Sequence, residues 1–89
     1  MMETRTATAA LVIPALNEEA VIAQTLARVP PGLFALVIVA DNGSTDRTSQ
    51  VARNAGAFVV RTEVRGYGAA CLEAMEAIPD DIEAVVFMQ

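Results

Sequence analysis

The sequence predicts an α/β fold in which four parallel strands alternate with three helices. Three observations carry that expectation. Short apolar runs recur without strict polar alternation, as the doubly covered strands of a parallel sheet do. Segments of helical period separate those runs. Clusters of Asn, Gly, Pro and Ser punctuate the boundaries.

The first strand is the run Ala10-Leu11-Val12-Ile13, stopped by Pro14. Asn17 is the expected cap of the first helix, which places Glu18 and Glu19 in its first turn, where carboxylates suit the helix dipole. Ile22, Leu26 and Val29 share one helix face, and Pro30-Pro31-Gly32 ends it. Leu36-Val37-Ile38-Val39-Ala40 is the clearest strand. After the turn Asp41-Asn42-Gly43-Ser44, Ser44 or Thr45 is the expected cap of the second helix, with Asp46 in its first turn. Thr48, Val51, Ala52 and Ala55 form its contact face, and Gly56 stands where a C-terminal glycine cap belongs. Ala57-Phe58-Val59-Val60 is the third strand. Arg65-Gly66-Tyr67-Gly68 opens the third helix, whose inward face is expected to be Cys71, Met75 and Ile78, with Leu72 beside them. Pro79-Asp80-Asp81 breaks it, and Ala84-Val85-Val86-Phe87-Met88 is the fourth strand. Right-handed crossovers leave few topologies, of which strand order 3-2-1-4 is the one expected. Its switch point lies between strands 1 and 4, so a site is expected at residues 14–18, at residues 41–44 and beyond Met88.

Composition narrows the function. The chain has 89 residues with 6 basic and 11 acidic side chains, no histidine, and a net charge of -5. Without histidine there is no Ser-His-Asp triad and no histidine metal ligand. A single cysteine excludes a disulfide framework. An acidic chain whose basic residues are all arginine, and few, is not expected to bind nucleic acid. At 54% hydrophobic residues the chain is apolar for its size and is expected to expose an apolar patch. No apolar run approaches the roughly 20 residues of a transmembrane segment. The short Met1 to Thr8 stretch lacks the form of a signal peptide. These features, with the unpaired Cys71, point to a cytoplasmic chain.

The loops carry the chemistry. The turn after the first strand holds no glycine and two carboxylates, which excludes the glycine-rich turn of a dinucleotide-binding enzyme and keeps phosphate away from that helix. Glu18 and Glu19 either complement the helix dipole or accept hydrogen bonds from ribose hydroxyls or base N–H groups. Asp41, at the end of the second strand, either serves a tight turn or reaches a sugar or base. Arg65, Gly66 and Gly68 combine a cation, two glycines and a helix N-terminus, which suits an anion; the alternative is a glycine loop with a solvated arginine. Tyr67 packs or stacks, and Cys71 reads as core rather than nucleophile.

Taken together, Val12-Ile13-Pro14-Ala15-Leu16-Asn17-Glu18-Glu19, then Ala40-Asp41-Asn42-Gly43-Ser44-Thr45-Asp46, then Arg65-Gly66-Tyr67-Gly68-Ala69-Ala70, resemble the N-terminal part of family 2 glycosyltransferases. The resemblance implies a partial Rossmann-like GT-A domain over residues 10–89, behind an N-terminal tail of residues 1–9. It implies transfer of a sugar from a UDP- or GDP-type donor to an acceptor. Pro14, Leu16 and Glu18 would line the nucleobase and ribose pocket. Asp41 would bind base or ribose, with Asn42 where many members carry a second Asp. Arg65, Gly66 and Gly68 would lie along the nucleotide. In the family, an Asp-x-Asp motif after the fourth strand holds Mg²⁺ or Mn²⁺. The sequence stops at Phe87-Met88-Gln89, so the metal ligands and the catalytic base are expected to be absent, and the chain inactive by itself. The alternative is a standalone non-catalytic nucleotide-binding or interaction module. In either case a homo-oligomer is expected to cover the open sheet edges.

Overall fold

The computed structural model describes residues 8–63 and 66–88. Strand and helix alternate as β1 (Ala9–Ala15), α1 (Ile22–Ala27), β2 (Leu36–Asp41), α2 (Thr48–Asn54), β3 (Phe58–Arg61), α3 (Tyr67–Glu76) and β4 (Ala84–Phe87). The sheet runs β3-β2-β1-β4, the expected order, and all three pairings are parallel.

The continuous apolar runs make sense once the pleat divides them. Successive residues of a strand face opposite sides of the sheet. Leu11, Ile13 and Ala15 of β1 join Val39 on one face, where Ile22 of α1 and Ala52 of α2 close over them. Val12 joins Ile38 and Ala40 on the other, against Ala70 and Ala74 of α3. In register, Val12 lies between Ile38 of β2 and Phe87 of β4. The apolar residues of the two central strands, β1 and β2, therefore face a helix layer on one side or the other, and each buried Val, Leu or Ile contributes roughly 1.5–3 kcal/mol relative to exposure.

The structure corrects four local expectations. Pro14 does not end β1 but lies within it, paired with Ala40. The β1–β4 pairing ends at Val12, with Met88 N–H donating to the Val12 carbonyl at 2.9 Å, so the missing proline N–H costs no ladder bond there. Asn17 does not cap α1, which starts at Ile22 with Val21 as N-cap. Asn17 takes a left-handed conformation, φ 53°, and its side chain turns to the next loop. Neither Ser44 nor Thr45 caps α2. The helix begins at Thr48, and the Asp46 carboxylate takes the Thr48 N–H at 2.9 Å.

The fourth correction concerns α3. Its inward face is Ala70, Ala74 and, just past the helix, Ile78, while Leu72 and Met75 are 64% and 47% exposed. Cys71 is half-buried. The reason is spacing between layers: alanines four residues apart let the helix approach the β1–β2 surface, where larger side chains would hold it off. Bulk alone pointed to the wrong side of the helix. Elsewhere the reading stands: Gly66 precedes α3 with φ 114°, and Gly56, φ 98°, follows α2. Leu72, Met75, Val86 and Phe87 make the expected surplus of exposed apolar surface.

Overpacking this contact is measurable. Ala74→Leu is expected to lower the unfolding free energy by about 1–3 kcal/mol. Leu72→Gln, on the exposed side, should change it by no more than about 0.5 kcal/mol. Urea denaturation of both variants checks the assignment of the inward face.

Candidate functional site

The carboxyl ends of β1, β2 and β3 meet at one corner of the sheet, and polar side chains tie their loops together. Asp41, the last residue of β2, is fully buried. Its Oδ1 accepts the Ser44 N–H at 2.8 Å, closing the turn, and its Oδ2 accepts the Ser49 hydroxyl at 2.5 Å. Arg61, opposite Asp41 in register at the end of β3, places Nη1 3.4 Å from Oδ2. Arg61 Nη2 also donates to the Ser44 carbonyl at 2.7 Å, and Nε donates to Glu63 Oε2 at 2.9 Å. Burial by itself would raise the Asp41 pKa. The hydrogen bonds from Ser49 and Ser44 and the Arg61 charge outweigh it and hold the carboxyl below its ordinary 3.8. The turn needs Gly43 for its φ of 84°; an added Cβ would meet only ordinary contacts, the nearest being Thr62 O at 3.6 Å.

A second set of bonds joins this turn to the segment after β1. Asn17 N–H donates to Ser44 Oγ, and Asn17 Oδ1 accepts the Thr45 N–H, each at 2.8 Å. Glu18 N–H donates to Thr48 Oγ1 at 2.8 Å. Glu19 and residues 46–47 exchange bonds: Glu19 N–H donates to Asp46 Oδ2 at 3.2 Å, and Arg47 N–H donates to Glu19 Oε1 at 2.9 Å. The Thr48 hydroxyl donates to Asp46, whose carboxyl is held below its usual value mainly by Thr48. Glu19 and Asp46 are thus occupied with backbone N–H groups of the facing loop.

Beside these loops lies a cavity of about 330 Å³ lined by Leu16, Asn42, Gly43, Glu63 and Gly66. Its volume is at the low end of small-molecule sites. Asn42 N–H is bonded to the Ala15 carbonyl at 3.0 Å, but its buried side-chain Oδ1 has no partner among the described residues. A smaller apolar cavity, about 150 Å³, sits at the opposite ends of the strands near Val37 and Ala57 and carries no polar side chain.

Of the residues marked in the sequence, Leu16, Asn42 and Gly66 come together at the larger cavity. Pro14, Glu18, Asp41 and Gly68 do not line it; Pro14 sits in β1, Glu18 in the loop bonded to Thr48, and Gly68 in the first turn of α3. Arg65 lies outside the described residues. Arg61, Glu63 and Ser49 belong to the site although no motif marks them. The legible signal was register: an arginine ending β3 lies opposite the acid that ends β2.

Comparison with known proteins gives the context. A family model described as Glycosyl transferase family 2 matches residues 10–88. A low-salt glycan biosynthesis hexosyltransferase of Haloferax volcanii is 41% identical over 83 residues, covering 88% of this chain and 20% of the relative. An uncharacterized glycosyltransferase of Mycobacterium bovis is 43% identical over 76 residues, covering 85% of this chain and 34% of that protein. Among solved structures, glucosyl-3-phosphoglycerate synthase from Mycobacterium tuberculosis, in complex with Mn²⁺, UDP and glucosyl-3-phosphoglycerate, superposes with a TM-score of 0.75 at 36% identity. That match covers 92% of this chain and 33% of the synthase. The chain thus spans a fifth to about a third of these relatives. Among the described residues no group of three His, Cys, Asp or Glu side chains is placed to hold a metal ion.

The Asp41 network sets an acid limit on stability. A carboxyl whose folded pKa lies below its unfolded value contributes fully above about pH 4, and that contribution is lost as pH falls through the folded pKa. Wild-type stability is therefore expected to be flat near neutrality and to drop below pH 4. Asp41→Asn should be less stable at pH 7 by about 1–3 kcal/mol, the cost of disturbed buried hydrogen bonds. It should also show a shallower acid slope, with Asp46 supplying part of what remains. Chemical denaturation from pH 3 to 7 checks both.

Proposed function

Since the chain belongs to glycosyl transferase family 2, we propose that it forms the donor-nucleotide part of an enzyme that transfers a sugar from a nucleoside diphosphate donor to an acceptor. The observation that carries this reading is the cavity at the carboxyl ends of β1 and β2, where an exposed apolar side chain, Leu16, stands beside the amide of Asn42. A nucleobase needs a flat apolar contact for its face and a paired donor and acceptor for its edge, and these two residues supply both. Uracil suits an amide well, because its N–H and carbonyls match one acceptor and one donor. The UDP held by the solved relative supports this choice. In this reading Pro14 and Glu18 shape the loop that carries Leu16, and Asp41 fixes the turn that carries Asn42. Gly66 and Gly68 lie toward the phosphates, since α3 begins there and helix N-termini favour anions, and the family resemblance assigns Arg65 to the same part of the nucleotide.

Because the described residues hold no metal-ligand cluster, the chain by itself is expected to bind nucleotide without turning it over. Among the described residues no helix is long and apolar enough to cross a membrane. A cytoplasmic setting is part of the proposal, in keeping with the free Cys71.

Titration calorimetry with UDP and GDP, with and without Mn²⁺, tests the reading. Binding of UDP with little response to Mn²⁺ is expected, weakened about tenfold in Asn42→Ala. Absence of UDP binding, or binding that requires Mn²⁺, overturns it. The second reading, a non-catalytic interaction module, draws on the exposed Leu72, Met75, Val86 and Phe87 and on the open edges β3 and β4. Both readings include self-association, so sedimentation should give a dimer or larger species; a monodisperse monomer would overturn that part.

A further inference from the structure

Among the described residues lining the larger cavity, Glu63 is the one that carries charge. It follows β3, outside every motif of the sequence, and its side chain is 77% exposed, within reach of a ligand. One carboxylate oxygen, Oε2, is held by Arg61 Nε at 2.9 Å. The other, Oε1, takes no hydrogen bond from the described residues. It lies 3.9 Å from the point where a Cβ on Gly43 would sit. The bare glycine turn thus leaves open the space in front of a carboxylate already fixed in orientation by Arg61. A group fixed before binding loses little side-chain entropy when the ligand arrives.

The chemistry of this wall is specific. An ionised carboxylate only accepts hydrogen bonds. It repels a diphosphate, and among the described residues lining the cavity there is no cation. Arg61 offsets it only in part, because the one guanidinium is shared between two carboxylates, Glu63 at Nε and Asp41 at Nη1, with Nη2 on the Ser44 carbonyl. The ligand part that faces Glu63 must therefore be neutral and rich in O–H or N–H donors. In a uridine nucleotide the base has one N–H, which the Asn42 amide matches. The remaining donors are the vicinal hydroxyls of the ribose, and a carboxylate is their natural acceptor. We propose that Glu63, oriented by Arg61, binds the ribose 2′,3′-diol of the nucleotide and selects ribonucleotides over deoxy forms. This inference rests on the nucleotide-binding reading above.

Calorimetric affinities for UDP, 2′,3′-dideoxy-UDP and N3-methyl-UDP test it on the wild type, Glu63→Gln and Glu63→Ala. The wild type should prefer UDP over the dideoxy analogue by about tenfold or more, the size of a charge-assisted hydrogen bond. That ratio should fall toward one in Glu63→Ala and lie between in Glu63→Gln, which keeps one acceptor and the shape of the side chain. The penalty for N3-methylation should stay constant across the three proteins. A ribose preference unchanged in Glu63→Ala overturns the proposal, as does loss of the N3-methyl penalty in its place, which would assign Glu63 to the base edge. A wild type that binds UDP but ignores the missing hydroxyls overturns this inference alone. A wild type that binds no UDP overturns the nucleotide reading as well. Thermal melting of each variant separates lost binding from lost fold, and a purely structural role for Glu63 would weaken all three ligands equally.

Discussion

The carboxylate of Asp41 is the constraint on which the functional end of this chain depends. It is buried without exposure, yet it carries charge, which is tolerable only because every approach to it is a donor. Those donors come from three separate pieces: the turn after β2, the first turn of α2, and the end of β3. One side chain thereby sets the positions of three elements. Asn42 and Gly43 lie inside the turn that Asp41 and Ser44 close. Glu63 is oriented by the same arginine that reaches Asp41. The polar wall of the cavity is thus built outward from one buried charge. Ser44 extends it further, passing the constraint through its Oγ to Asn17 and so to the loop that carries Leu16.

The sheet beneath obeys a simpler rule. Apolar residues at every position of β1, and of β2 up to Ala40, require a layer on each side, and the two core clusters divide them accordingly. The same composition leaves Leu72, Met75 and Phe87 without cover among the described residues. A parallel sheet that is apolar on both faces does not end comfortably at a four-residue edge strand such as β4.

What was legible in the sequence followed from periodicity, and what was missed depended on distance between elements. Strand order, parallel pairing and the glycine ends of the helices need only local pattern and handedness, and these were read correctly. The inward face of α3 was misread because hydrophobic size says which residues prefer burial, not how closely two layers approach. Ala70 and Ala74 answer the second question. Asn17 has the chemistry of a cap, but the partner that satisfies its side chain, Thr45, is 28 residues away. Its hydrogen-bonding capacity was legible and its target was not. Arg61 and Glu63 are the same case, since a two-residue spacing at a strand end has meaning only once Asp41 is known to be opposite.

The same distinction changes the meaning of the acidic loops. In sequence, Glu18, Glu19, Asp41 and Asp46 look like a negative wall that would repel any phosphate. In the structure Asp41 is neutralised by Arg61 and hydroxyls, while Glu19 and Asp46 are turned toward backbone N–H groups of each other's loops. Much of the apparent acidity is internal wiring that holds two loops at fixed separation. Of the acids, the one that lines the cavity is marked by no motif: Glu63, with one oxygen held by Arg61 and the other taking no hydrogen bond from the described residues. A nucleotide entering this corner would meet apolar surface at Leu16, an amide at Asn42 and a carboxylate at Glu63. In the proposed reading that order favours the base and ribose at Glu63 and leaves the diphosphate on the Gly66 side of the cavity, where α3 starts. In the proposed nucleotide reading, the direction in which the ligand lies is set less by an attractive phosphate site than by one carboxylate that repels phosphate.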